Sequence, residues 1–175
     1  MRTLLLAVLV ALPHAATAQA AKVRLPIIGH PGPLSIDSLA AVTTLDAPVG
    51  QTYAAVSQLF AEYKVAVDVR DSVRGIVGTT SMARMRTFAG GRLSRILNCG
   101  SGMTGENADN WRVYLTIFAL LEPADAGRTT LRIALVGGAR DVAGNSTDPV
   151  ACGTTGRFES QVFEQVKQRL AQPAP

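Results

Sequence analysis

Histidine is nearly absent from this chain of 175 residues. Its two histidines are His14, near the start, and His30, in a proline-rich stretch, and both precede the region in which we predict the folded domain. Imidazole serves as the general base of most catalytic triads, as the usual neutral-pH proton carrier and as a frequent zinc ligand. We therefore predict no catalytic residue, no metal site and no cofactor in the domain.

Cysteine occurs only at Cys99 and Cys152. Two cysteines without a nearby histidine cannot complete the four-ligand shell of a structural zinc ion. The alternative of a nucleophilic Cys99 has only Arg92 and Arg95 nearby to lower its pKa. In an oxidising compartment an even pair is interpreted first as a disulfide, and a closed loop of about fifty residues contributes about 4 kcal/mol to stability. We predict the Cys99–Cys152 disulfide.

Long apolar runs are confined to the first residues. Residues 1–18 combine a basic start at Arg2, an apolar stretch from Leu4 to Leu12 and an Ala-Thr-Ala cleavage motif at residues 16–18, which is typical of a secretory signal peptide. The alternative, a membrane anchor, needs about 20 apolar residues, roughly twice what is present. We expect a periplasmic or secreted protein with no transmembrane segment after cleavage.

Charge is modest. The formal net charge is +4, or +3 once Arg2 leaves with the leader, which is a weak argument for nucleic acid as a partner, and we predict none. Arg84, Arg86, Arg92 and Arg95 nevertheless lie within twelve residues. They have two interpretations: a cationic surface for a phospholipid headgroup or an acidic polymer, or a solvated rim that protects a sheet edge.

Proline and glycine divide the chain. Residues 19–35 are rich in both, a composition that sustains neither a helix nor a central strand, and we predict an extended arm or linker there. Residues 36–171 then form a single domain, and residues 172–175 a disordered tail. Prolines are also present near the C-terminus, at residues 173 and 175.

Periodicity predicts the elements of that domain. Apolar residues recur at steps of three and four from Val49 to Tyr63 and at steps of four from Phe158 to Leu170, each an amphipathic helix. Alternating or β-branched runs predict a first strand and then two hairpins, at residues 36–45, 64–70 with 73–80, and 111–121 with 129–137. The order β-α-β-β-β-β-α, with an irregular stretch at 81–105, predicts an α+β fold: an antiparallel sheet with two helices on one face.

Loop residues offer two further hypotheses. Glu106 with Asp109, and Asp141 with Asp148, are carboxylates in predicted loops. They are interpreted as solvated side chains or, alternatively, as the acid and base of a hydrolase or isomerase that works without histidine. The glycine-rich segment 100–105 lacks the Gly-Lys-Ser/Thr ending of a phosphate-binding loop, which favours a flexible loop beside the disulfide.

Aromatic residues are few, and three lie on one predicted strand. Tyr114 and Phe118 share one face of that strand and Trp111 lies on the other. Core packing explains most of this pattern, but a sheet curved over a helix can leave a pocket for an apolar ligand. The concave face near Tyr114 and Phe118 is the predicted place for one.

The element order over residues 36–171, together with three local segments, carries a resemblance. The segments are Ala47-Pro48-Val49 opening a helix, Tyr63-Lys64-Val65-Ala66-Val67, and Asp71-Ser72-Val73-Arg74-Gly75-Ile76-Val77 at a hairpin turn. The domain resembles the helix-grip domains of exported bacterial envelope proteins, such as the C lipoprotein of the β-barrel assembly machinery. That resemblance implies a curved antiparallel sheet around a long C-terminal helix, and it assigns no functional residue.

These patterns favour an exported, non-enzymatic binding or structural module of the cell envelope, whose partner is an unknown protein or a small apolar or anionic ligand. Two alternatives stay open. One is an envelope-assembly or anionic-lipid-surface factor that uses the arginine segment 84–95, and the other is the histidine-independent hydrolase or isomerase with loop carboxylates.

Overall fold

The computed structural model describes residues 23–172. The predicted signal peptide, the first four residues of the predicted arm and the last three residues of the predicted tail lie outside this range. Within it, no helix is both long enough and apolar enough to cross a membrane.

The described residues form four helices and thirteen strands, eight of which are two-residue or three-residue pairings. They are β1 (Arg24–Leu25), β2 (Leu34–Ser35), α1 (Ile36–Leu39), β3 (Ala41–Leu45), α2 (Val49–Glu62), β4 (Val69–Asp71), β5 (Ile76–Arg84), β6 (Thr87–Phe88), β7 (Gly91–Arg92), β8 (Leu97–Asn98), β9 (Ser101–Gly102), β10 (Gly105–Glu106), α3 (Asn107–Asn110), β11 (Arg112–Pro123), β12 (Thr129–Arg140), β13 (Val150–Thr154) and α4 (Arg157–Ala171).

The main sheet is antiparallel and open, as predicted. Its strands run in the order β4-β5-β11-β12-β13-β8. β12 has β11 along one edge, and its other edge is shared between β3, which pairs with residues 129–133, and β13, which pairs with residues 137–139. The predicted α+β architecture is confirmed, and residues 134–136 of β12 are left between the two partial partners.

Helices α2 and α4 pack side by side on one face of this sheet, which confirms the predicted layering. The alternate positions of β11 from Val113 to Leu121 face them, and the helices bury their apolar stripes there. Between the helices, Arg169 pairs with Glu62, and the Gln161 amide donates a hydrogen bond to the Tyr63 hydroxyl at 2.8 Å. The stripes read from the sequence are therefore the buried faces of both helices.

One extra residue in β5 keeps its apolar side chains in register with the helix-side core. Leu115 of β11 lies opposite Met82, and Ile117 lies opposite Thr79, so β5 has one more residue than β11 between these pairs. Such a bulge reverses the inside-outside alternation. The carbonyl of Thr80 at the bulge accepts a hydrogen bond from the Thr116 hydroxyl at 2.7 Å, and Met82 remains buried.

The opposite face of the sheet is covered by the described part of the arm, which the sequence predicted to be an extended segment or linker. β1 and β2 form a small hairpin, and Ile27 and Ile36 are buried against β11 and β12 in a second apolar core with Phe118. A Cβ at Gly138 would lie 2.6 Å from the Cβ of Ile28, so the arm approaches the sheet more closely than a side chain at 138 allows. This segment from residue 23 is a layer of the fold.

Two predicted strands are much shorter in the structure than the sequence indicated. Residues 36–45 were predicted as one strand, but residues 36–39 form one helical turn, α1, in which the Ser35 hydroxyl donates to Asp37 at 2.7 Å. Only β3 is extended. In the predicted strand 64–70, pairing begins at Val69, because Lys64 takes a left-handed conformation and the Val65 amide bonds back to the Phe60 carbonyl at the end of α2.

Candidate functional site

A cleft of about 450 Å³ lies at the end of the sheet where β11 begins and β12 ends. Trp111 and Asn107 line its base, the β9–β10 hairpin contributes residues 102–104, and the loop after β12 contributes Asp141, Asn145 and Ser146. We call it the loop-end cleft. Three features that the sequence presented separately, the glycine-rich segment, Trp111 and the Asp141 loop, meet in it.

The hairpin wall of the loop-end cleft is anchored by the disulfide. Cys99 and Cys152 are bonded, with their Cα atoms 4.3 Å apart, and both are buried in the helix-side core, as predicted. Beside the bond, the Asn107 side-chain amide donates to the Cys99 carbonyl at 3.1 Å, and the Asn107 backbone amide donates to the Gly100 carbonyl at 3.0 Å. The segment predicted to be a flexible loop is therefore tied to the core at its base.

The opposite wall is organised around one carboxylate. Asp141 accepts hydrogen bonds from the backbone amides of Ala143, Asn145 and Ser146 at 2.8, 2.8 and 3.0 Å. The bond from Ala143 is the main reason that the pKa of Asp141 is lowered. Its negative charge is thus committed to hydrogen bonds within the loop that forms this wall of the cleft.

Two large apolar side chains, Met103 and Trp111, line the loop-end cleft. Met103, at the tip of the hairpin, lines the cleft and is fully exposed. Trp111 at the base is partly buried and packs against the helix-side core. A concave site of a few hundred Å³ with apolar walls and a few fixed polar groups is the usual form of a small-molecule or side-chain binding site.

The arm, and not a ligand pocket, covers the face of the sheet that carries Phe118. Phe118 is 1% exposed and lies in the second core, beneath the arm, while the helix-facing positions of β11 belong to the alternate set of residues. The pattern placed Tyr114 and Phe118 on one face correctly. It could not show that the helices occupy the other face.

The loop carboxylates have structural partners. Asp109 accepts hydrogen bonds from the Ser94 backbone amide at 3.0 Å and from its hydroxyl at 2.8 Å, and it lies 3.7 Å from Arg92. These contacts tie α3 to the turn at residues 93–95. Glu106 is exposed. Within residues 23–172, no group of three or more metal-ligating side chains comes together.

The predicted anion surface is divided by the β6–β7 hairpin. On one side, Arg84 donates to the Lys64 carbonyl, and its guanidinium lies 5.8 Å from the centre of the Phe88 ring. On the other side, Arg86 and Arg92 border a shallow cleft that also contains Asp109. Arg95 is exposed, and its carbonyl accepts a hydrogen bond from the Thr155 hydroxyl at 2.8 Å. The four arginines do not converge on one point.

The structure also reveals a buried carboxyl that the sequence did not indicate. Glu159, in the first turn of α4, is 1% exposed. One of its oxygens accepts a hydrogen bond from the Thr154 hydroxyl at 2.9 Å, and the other has no partner in the described part of the chain. Burial raises the pKa of Glu159 above its ordinary value.

We expect Glu159→Gln to stabilise the domain at neutral pH by about 1 kcal/mol, because an unpaired buried charged oxygen costs at least that much. The folded state binds the Glu159 proton more tightly than the unfolded chain, in which the pKa of a glutamate carboxyl is about 4.5. Its stability should therefore fall as pH rises from that value through the raised pKa. Urea titrations from pH 4 to pH 8 measure this slope. An equal slope in the variant would show that Glu159 is not its source.

The fold and the cleft define the class of protein: a small three-layer α+β domain with a disulfide-anchored apolar cleft at one end of its sheet. A scan against protein-family models finds no family that matches the sequence, and a search of curated proteins finds no match.

Proposed function

We propose that this protein is an exported, non-enzymatic binding module of the cell envelope, and that its loop-end cleft takes an apolar group of the ligand or partner. The observation that carries the proposal is the fully exposed Met103 at the rim of an apolar cleft. The disulfide holds one wall of this cleft, and the hydrogen bonds of Asp141 hold the other. Exposed apolar side chains beside a concave apolar surface are typical of an interaction site.

The envelope location rests on two features of different kind. The first is the predicted signal peptide at residues 1–18. The second is the buried Cys99–Cys152 disulfide, because disulfides persist in the periplasm and outside the cell and are rare in the reducing cytosol.

Less supports the two alternatives. A hydrolase based on Glu106 and Asp109 requires a free carboxylate pair, and Asp109 is occupied by Ser94. An anionic-lipid factor based on the arginine segment requires a shared cationic surface, and its arginines lie on different sides of a hairpin.

Binding at the loop-end cleft is testable with the single tryptophan of the chain, which lies at its base. We expect 1-decanol, an uncharged apolar probe, to shift the fluorescence emission of Trp111 to shorter wavelength. Met103→Asp should weaken this binding about tenfold or more, since it removes one large apolar contact. Val73→Asp is the matched control, because Val73 is 95% exposed in the β4–β5 turn.

Native mass spectrometry of mature protein from a periplasmic extract extends the test to natural ligands. A retained small molecule that Met103→Asp loses and Val73→Asp keeps supports the proposal. No response of Trp111 to the probe, or an equal response in both variants, would count against the cleft as a binding site.

A further inference from the structure

Two arginines face each other across the central strand pair. Arg112 at the start of β11 is directly opposite Arg140 at the end of β12, and both are exposed. The Cβ atoms of such a pair are about 5 Å apart on the same face of the sheet, and like charges at these positions are destabilising. The pair lies on the arm side of the sheet, the face opposite to the helices.

Among residues 23–172, no acidic side chain forms an ion pair with Arg112 or Arg140. The ion pairs of residues 23–172 use other cations, namely Arg74, Arg92, Arg128, Arg132, Lys167 and Arg169. The nearest carboxylate in sequence, Asp141, uses both of its oxygens on amides of its own loop. Arg112 and Arg140 thus keep all their guanidinium donors available, as far as the described residues show.

A third donor lies on the same face. Tyr114 is two residues after Arg112, opposite Gly138, and is partly exposed. The hydroxyls of Tyr53 and Tyr63 have protein hydrogen-bond partners, whereas that of Tyr114 has none among residues 23–172. The strand register thus places two guanidinium groups and one hydroxyl on one face of the sheet, none of them with a hydrogen-bond acceptor among residues 23–172.

We propose that Arg112, Arg140 and Tyr114 form a binding site for a phosphate group. One guanidinium group can donate two parallel hydrogen bonds to two phosphate oxygens in a fixed geometry, whereas a lysine ammonium group cannot. A phosphate anion that bridges them removes the repulsion between the two arginines, and the Tyr114 hydroxyl is the third donor. The site is separate from the loop-end cleft, and Met103→Asp leaves it intact. The phosphate belongs either to a soluble phosphate compound or to a lipid headgroup.

Inorganic phosphate is the first probe, titrated by calorimetry against chloride at matched ionic strength. We expect saturable binding that raises the melting temperature, an affinity at least tenfold lower in the double variant Arg112→Gln with Arg140→Gln, and a smaller loss in Tyr114→Phe. Arg70→Gln is the control, because Arg70 is also exposed and has no ion pair in the described chain. Without phosphate, the double variant should melt at or above the natural protein, since repulsion is relieved.

Vesicle flotation distinguishes the two sources. The site is assigned to a headgroup if the natural protein and Arg70→Gln bind phosphatidylglycerol vesicles but not phosphatidylcholine vesicles, and the double variant does not bind phosphatidylglycerol vesicles. Binding of inorganic phosphate without vesicle binding assigns it to a soluble compound. The proposal is overturned if neither probe binds, or if the double variant and Arg70→Gln bind either probe equally.

Discussion

Reduction of the Cys99–Cys152 disulfide is expected to lower the free energy of unfolding by about 4 kcal/mol, the chain-entropy value for a loop of about fifty residues. The cysteines are 53 positions apart. For a domain of this size, that loss corresponds to a fall in melting temperature of about 10 °C. Thermal unfolding followed by circular dichroism, with and without reductant, measures it directly.

The same bond should hold the hairpin wall of the loop-end cleft. β8 is paired with β13 through only two residue pairs, Asn98 with Gly153 and Leu97 with Thr154, and the disulfide follows immediately. Without the disulfide, this short ladder and the hydrogen bonds of Asn107 remain to position the hairpin at residues 101–106. We therefore expect the emission of Trp111 to move to longer wavelength on reduction, below the melting temperature, as water enters the cleft.

A double variant, Cys99→Ala with Cys152→Ala, separates the bond from side effects of the reductant. It should show the lowered stability under all conditions and no further response to reductant. If alkylation of unreduced protein adds two alkyl groups, the thiols are free, and the stability assigned to the disulfide has another source.

The helices and long strands were predictable because each repeats a local period. The steps of four from Phe158 to Leu170 place one stripe of α4 against the sheet, and the run from Trp111 to Leu121 has the β-branched and aromatic content of a strand. These patterns involve only residues that are close in sequence, so they can be recognised without knowledge of the rest of the fold. They do not show which face of a strand the helices cover.

The arm was not predictable because its packing depends on distant residues. Pro26, Pro31 and Pro33 exclude regular structure, which is correct locally, but Ile27 and Ile36 are buried because Phe118 and its neighbours present a second apolar face. A sequence shows two-sided apolar strands without showing what covers the second side. Phe118 was therefore assigned to a ligand pocket, whereas in the structure the arm covers it.

The candidate sites are also products of long-range contacts. The loop-end cleft combines residues near 103, 111 and 141, and the burial of Glu159 depends on how α4 packs against the rest of the fold. A glutamate beside the apolar stripe of a helix ordinarily lies at the boundary between core and solvent, so the pattern around Phe158 did not indicate that Glu159 is buried. Only the disulfide was found from sequence, since two cysteines allow a single intramolecular pairing.

Gly138→Ala is expected to separate the arm from the sheet and to destabilise the domain by about 2 kcal/mol, a typical cost of forcing an extra methyl group into a packed interface. The new Cβ would meet the carbonyl oxygen of Ile28 and lie 2.6 Å from its Cβ. Because the first contact is with backbone, rotation of a side chain cannot relieve it. The melting temperature should fall by several degrees, about 2–4 °C for each kcal/mol.

Hydrogen exchange shows whether that loss has the assigned cause. In the variant, the Ile36 amide, which donates to the Val23 carbonyl at 2.8 Å, should exchange much faster, while the amides of α4 change only as far as global stability does. Gly153→Ala is the matched control, since Gly153 is also in a strand and a Cβ there meets nothing within 4 Å. If both variants melt alike and the arm stays protected, the close approach of Ile28 to the sheet is not what keeps the arm in place. If only Gly138→Ala exposes the arm, then the domain begins at the arm, and truncation at residue 36 would uncover Phe118 rather than remove a linker.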